Sequence, residues 1–121
     1  PAFIAASAAA LIAADDVLIP IKLDAFSLDG MKNILEQIAN MRRINRRLNV
    51  AGILPTMWYR SQIIKYAESE LKKSELHIFS HIRRSAKVDE MTFQREALTS
   101  CRSGSEIDYR KFAIEYMGGA V

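Results

Sequence analysis

Two histidines, His77 and His81, stand four residues apart, Asp15 and Asp16 adjoin, and Cys101 is the only cysteine. Each type can do chemistry: imidazoles ligate zinc, paired carboxylates share acid and base roles, and a thiolate is a nucleophile. None finds its partners here. His77 and His81 fall across the end of an expected strand, where a spacing of four does not converge on one face, and no carboxylate or cysteine completes a zinc set. Asp15-Asp16 joins a helix to a strand, where aspartates are more often turn formers than an acid–base pair. Cys101 has no motif around it. It excludes an internal disulfide framework and fits a reducing, cytoplasmic setting. Neither Gly-x-Ser-x-Gly nor Gly-x-x-x-x-Gly-Lys-Ser/Thr occurs. The expectation is no metal site and no catalytic residue within these 121 residues.

The basic residues are more informative than the net charge of +3. Arg42, Arg43, Arg46 and Arg47 gather at the end of an expected helix, as a solvated helix end or an anion-binding group. Arg83, Arg84 and Lys87 share one loop, and Arg102, Arg110 and Lys111 lie near the last helix. That second set reads either as phosphate contacts or as a solvated rim shared with Asp89, Glu90 and Glu106. No aromatic residue is interleaved with it, which argues against base stacking on single strands.

The elements that must position these residues follow from punctuation and periodicity. An alanine-rich apolar run over residues 2–14 stops at Asp15-Asp16. It is too short to span a bilayer, so a helix packed closely on a sheet is expected, with no membrane partner. Residues 17–20 are short and continuously apolar, as in a strand buried on both faces, and Pro20 closes it. Ser27 opens a helix to about Leu48, with Leu28, Met31, Ile34, Leu35, Ile38, Met41 and Ile44 on one stripe. Residues 50–54 make a second strand ended by Pro55, and residues 56–60 a loop. Ser61 opens a helix burying Ile63, Ile64, Ala67 and Leu71, with Glu68 and Lys72 placed to pair. A short third strand covers residues 76–79, followed by a basic loop, one helical turn over 88–91 and an irregular stretch to 104. Overlapping capping boxes, Ser103-Gly-Ser-Glu106 and Ser105-Glu-Ile-Asp108, start a last helix expected to bury Tyr109, Phe112, Ala113, Tyr116 and Met117, with Gly118-Gly119 ending it. Helix and strand alternate, and no repeat or linker breaks the chain, so a single α/β domain over residues 1–121 is expected.

Several stretches in this order resemble the ParA/MinD-type partition ATPases. Residues 1–20, ending Ala-Ala-Asp-Asp-Val-Leu-Ile-Pro, are similar to that family's helix ending Ala-Ala-Asp before a strand closing in Ile-Pro. Asp24-Ala-Phe-Ser-Leu-Asp-Gly resembles its Asp-x-Phe-x-Leu-x-Gly helix start, and Gly52-Ile-Leu-Pro-Thr-Met-Trp its Gly-Ile-Leu-Leu-Thr-Met-aromatic strand and loop. Ile82-Arg-Arg-Ser-Ala-Lys resembles Ile-Pro-Arg-x-x-Arg, and residues 103–115 the closing Ser-x-Gly-Ala-x-x-Tyr-x-x-Leu-Ala-x-Glu helix. The departures are Ala9 for a usual Asn, Arg83 for a usual Pro and Tyr59 where Asp is common. The family's Lys-Gly-Gly-x-Gly-Lys-Thr phosphate loop is also missing and would lie ahead of Pro1.

The resemblance implies the carboxy-terminal half of a P-loop NTPase fold: about three mainly parallel strands with right-handed crossovers and helices on both faces. It implies that Thr56 and Met57, with Ile82, Arg83 and Arg84, enclose the purine of ATP, although Thr56 and Met57 equally suit a plain strand end. It implies nonspecific DNA binding through Arg84, Lys87, Arg102, Arg110 and Lys111, a homodimer and a ParB-type activator. ATP and Mg²⁺ are the family's cofactors. Phosphoryl transfer needs a phosphate cradle, a lysine and metal ligands, so this segment alone is not expected to hydrolyse ATP. The other readings are a nucleotide-independent dimerisation or interaction module and a basic DNA-binding domain. Without a neighbouring phosphate-loop strand, residues 17–20 form an apolar sheet edge that invites self-association.

Overall fold

The computed structural model describes residues 5–118. Residues 1–4 and Gly119, which the sequence reading placed at a helix start and a helix stop, lie outside that range. Helix α1 (Ala5–Ala13) leads into strand β1 (Asp16–Lys22), helix α2 (Ala25–Met41) and strand β2 (Asn49–Thr56). Helices α3 (Gln62–Lys72), α4 (Ala86–Gln94) and α5 (Gly104–Tyr116) follow, with a 3₁₀ turn at Leu98–Ser100 before α5. No helix among the described residues is long and apolar enough to cross a membrane.

β1 and β2 pair in parallel, from Asp16 opposite Asn49 to Lys22 opposite Thr56. The register shifts after Val17, so that Leu18 faces Gly52 and Ala51 is the extra residue. Both strands outrun the prolines expected to close them. Pro20 lies inside β1, which is tolerated because β1 is an edge strand.

The expected third strand over 76–79 is reduced to two isolated parallel bridges, Ile53–Ile78 and Trp58–Arg83. Ile53 donates to His77 O at 2.8 Å and accepts from Phe79 N at 2.9 Å, beginning a ladder. The next donor from β2 would be Pro55, which has no N–H, so the ladder lapses there. It resumes through Ile82 N to Pro55 O (2.8 Å), Trp58 N to Ile82 O (3.0 Å) and Arg84 N to Trp58 O (2.8 Å). The segment thus runs beside β2 and delivers residues 82–84 next to residues 56–58.

One sheet face is well covered. Ile19, Ile21 and Ile53 pack there with Met31 and Ile38 of α2 and with Ile64, Ala67 and Leu71 of α3. Ile63, expected inside, is exposed, because the α3 stripe runs through 64, 67 and 71. The other face carries Leu54, Phe79 and Ile82 with Leu18 and Phe112 against them. Phe79 meets Phe112 edge to face with ring centroids 5.2 Å apart. Gly52 makes this close approach possible, since a Cβ there would lie 2.7 Å from both His77 O and Phe79 Cε2.

Four expectations about helices are corrected. Asp24, not Ser27, caps α2, accepting from Ser27 N at 2.7 Å. α2 also stops at Met41 rather than Leu48, because residues 42–48 fold into turns that fasten α1. Asn45 Nδ2 donates to Leu11 O (3.1 Å) and Ala14 O (2.7 Å), satisfying carbonyls at the end of α1 that no helical partner reaches. The single helical turn at 88–91 is a nine-residue helix capped by Ser85. In α5 the burial is inverted: Ser105, Glu106 and Asp108 are buried, while Tyr109, Ala113, Tyr116 and Met117 are exposed and Phe112 is half-buried. β1 is likewise covered fully on one face only, with Leu18 half-buried and Pro20 exposed.

Candidate nucleotide cleft and basic surface

The carboxyl end of β2 and the parallel segment beside it diverge around a cleft of about 330 Å³. Thr56, Met57, Ile82, Arg83 and Arg84 all line it. Such a position, beyond the carboxyl ends of parallel strands, is where open α/β sheets bind ligands. Its volume is at the lower end of the usual small-molecule range, about 300–1,000 Å³. Met57, Ile82, Ala86, Val88 and Tyr109 give apolar surface, with Thr56, Ser85, Arg84 and Asp89 as the polar groups.

Backbone geometry decides how the two segments meet. Met57 adopts the left-handed region (φ 53°), which turns the chain sharply as it leaves β2. Trp58 then anchors the loop three ways: through its backbone to 82 and 84, through Nε1 to Glu68 Oε1 at 3.0 Å, and by stacking on His81 at 4.0 Å. Glu68 is therefore held by the indole of Trp58, and it is not among the ion pairs of the described residues. His77 is also used in packing, edge-on to Phe79. Neither histidine joins a metal cluster, and the described residues contain no group of three or more His, Cys, Asp or Glu suited to a metal ion.

Arg83 is a strut in the cleft wall. Its Nε and Nη2 donate to the two oxygens of Asp108 at 2.8 and 2.9 Å, and its backbone N–H donates to Asp108 Oδ2 at 2.9 Å. Burial pushes the Asp108 carboxyl up, but the side-chain and backbone hydrogen bonds from Arg83 outweigh it and hold the pKa below its ordinary 3.8. The guanidinium lies close over the start of α5, where Gly104 leaves room: a Cβ there would sit 2.6 Å from Nη1. Asp108 is the residue that sequence reasoning missed. It appeared only as a capping-box partner, but Ser103 caps α5 by accepting from Glu106 N at 3.1 Å, which frees Asp108 for Arg83. The close Ser-Gly-Ser spacing allowed either box, and only the choice of Ser103 exposes the pairing.

The five basic residues expected to meet DNA are not equally available. Lys87 pairs with Glu90 at 2.9 Å, and Arg110 pairs with the buried carboxylate of Glu106. Arg84, Arg102 and Lys111 are exposed, and none of the three is in an ion pair among the described residues. Cys101 points its Sγ at Leu98 O, 3.4 Å away, as an ordinary half-buried thiol.

Comparison with known proteins adds to this geometry. A family model described as an AAA domain matches residues 1–50. Two Escherichia coli proteins named IncC are 49% identical over 49 residues and 40% identical over 55 residues. Those matches cover 40% and 46% of this chain but only 14% and 15% of the relatives. Among solved structures, apo McdA from Cyanothece superposes with a TM-score of 0.80 at 21% identity, over 93% of this chain and 48% of that one. Its ATP complex gives a TM-score of 0.78 at 20% identity, over 93% and 46%. Cobyrinic acid a,c-diamide synthase from Mycobacterium smegmatis, with a bound ATP analogue and magnesium, gives 0.67 at 26% identity, over 85% and 39%. The chain thus spans less than half the length of each of these structures. The sequence match at its amino-terminal end and the shared fold over most of its length make the chain similar to part of an AAA-type domain, of the IncC proteins and of McdA.

Proposed function

We propose that this chain supplies the purine side of an ATP site in a ParA-like partitioning protein. The observation that carries the reading is the meeting of Thr56 and Met57 with residues 82–84 around one cleft at the carboxyl ends of parallel strands. The exposed apolar surface of Met57 suits the face of a flat base above the buried Ile82, and Thr56, Ser85 and the Arg84 cation supply polar contacts at the rim. Arg83 contributes by fixing the wall through Asp108, so its part is positional. The cleft fits the purine end of the nucleotide and not its triphosphate or Mg²⁺, for which it offers no lysine and no pair of carboxylates. The metal would stabilise charge on the transferring phosphate; the residues here orient the base. ATP-bound McdA and the ATP-analogue complex of the cobyrinic acid synthase support the reading by sharing the fold.

The same reading includes an exposed face for nonspecific duplex DNA built on Arg84, Arg102 and Lys111, with Lys87 and Arg110 joining after exchange of their carboxylate partners. A homodimer and a ParB-type activator complete the proposed assembly. The test is ATP affinity of the full-length protein measured by calorimetry. Thr56→Arg should weaken binding at least tenfold by filling the cleft. Unchanged affinity overturns the assignment.

A further inference from the structure

We propose a second polyanion-binding surface at the opposite end of the sheet, formed by Arg43, Arg46 and Arg47 and suited to the phosphodiester backbone of duplex DNA. The turn after α2 holds four arginines within residues 42–47. Arg42 is used inside the fold, where its Nε donates to Leu48 O at 3.0 Å. The other three are exposed, and none pairs with a carboxylate among the described residues. In the carboxy-terminal set Arg83, Lys87 and Arg110 are each paired with an acid and, among the described residues, Arg84, Arg102 and Lys111 are not, whereas these three unpaired arginines fall within five consecutive residues. The nearest acidic residues in sequence to the paired strand starts are Asp15 and Asp16, and Asp16 accepts from Asn49 Nδ2 at 3.0 Å.

The turn is a fixed platform. Asn45 ties it to the end of α1, its Oδ1 accepts from Arg47 N at 3.2 Å, and Leu48 is buried in the core. Charges carried on an ordered backbone lose less entropy on binding. Guanidinium forks match phosphate oxygens in pairs, which a diffuse lysine patch does not. A membrane surface fits less well. Adsorption there scales with the apolar area inserted, and this turn offers a single exposed apolar side chain, Ile44, while the apolar face of the preceding α2 is turned to the core through Met31 and Ile38. The platform precedes β2 and the cleft follows it, so the strand's eight residues set them about 25 Å apart at ~3.3 Å per residue. DNA on the turn would leave the cleft open, and the inference does not depend on what the cleft binds.

The experiment is a salt titration of fluorescence anisotropy with a short mixed-sequence duplex, using the full chain. Each lost phosphate contact lowers the slope of log affinity against log salt by about 0.9, so Arg43→Ala/Arg46→Ala/Arg47→Ala should lower it by about 2–3. The corresponding triple change to Lys should keep the slope. Four results overturn the proposal: no duplex binding by the unaltered chain at low salt, an unchanged slope in the alanine variant, or a slope that responds only to Arg84→Ala/Lys87→Ala. The fourth is a loss confined to phosphatidylserine vesicles.

Discussion

Replacing Asp108 with Ala removes one carboxylate that satisfies three donors of Arg83, two from the guanidinium and one from the backbone. Breaking a fully buried ion pair costs about 3–5 kcal/mol. The Arg83 side chain is 51% exposed against 11% for Asp108, so the freed guanidinium rehydrates and most of that penalty is relieved. What remains is the orphaned backbone N–H and the lost charge-assisted contacts, about 2 kcal/mol together. For a domain of this size that is a fall in Tm of roughly 6–10 °C. A double-mutant cycle with Arg83→Ala isolates the pair, with an expected coupling of about 1–2 kcal/mol. The pH dependence follows from the depressed Asp108 pKa. A carboxyl whose folded value lies below its unfolded 3.8 stabilises fully above that value and loses its contribution as pH falls through the folded one. The stability gap between the unaltered chain and Asp108→Ala should therefore hold from neutral pH down to about 5 and close below about 4. Urea midpoints across that series are the assay. A coupling under about 0.3 kcal/mol, or a gap indifferent to acid, would refute the strut.

Gly52→Ala should destabilise by about 2–3 kcal/mol in denaturant titration, because its Cβ would meet a backbone oxygen and the Phe79 ring at 2.7 Å. Asn45→Ala should cost about 1–2 kcal/mol and raise amide exchange through α1 before the sheet, since two carbonyls at the end of α1 lose the side-chain donor they share. The isolated chain should self-associate at micromolar concentration in sedimentation. Leu18, Phe112, Tyr116 and Met117 line an open apolar hollow beside the free edge of β1, and Leu18→Lys should reduce the association. A monodisperse species unaffected by Leu18→Lys would locate the sticky surface elsewhere.

Sequence alone determined the alternation of helix and strand, because short apolar runs, prolines and capping residues are local signals. Ser61 and Ser103 cap the helices expected of them, and the expected α/β fold is the one the chain shares with McdA. Thr56, Met57, Ile82, Arg83 and Arg84, named from the resemblance, line one cleft, though Thr56 and Arg84 are far apart in the chain. Tertiary structure decided the rest. Which of two equivalent serines capped α5 settled whether Asp108 was a cap partner or the anchor of Arg83. Whether a helix stripe became core depended on how much sheet lay beneath it, so Tyr109, Tyr116 and Met117 stay exposed while polar Ser105, Glu106 and Asp108 are buried. Charge behaved in the same way. Lys87 and Arg110 read along the chain either as phosphate contacts or as part of a solvated rim, and the fold sets each beside a glutamate, while none of Arg43, Arg46 and Arg47 pairs with a carboxylate among the described residues. A basic residue's type is written in the sequence, but its availability depends on which carboxylate the fold brings within about 4 Å, where unit charges interact most strongly.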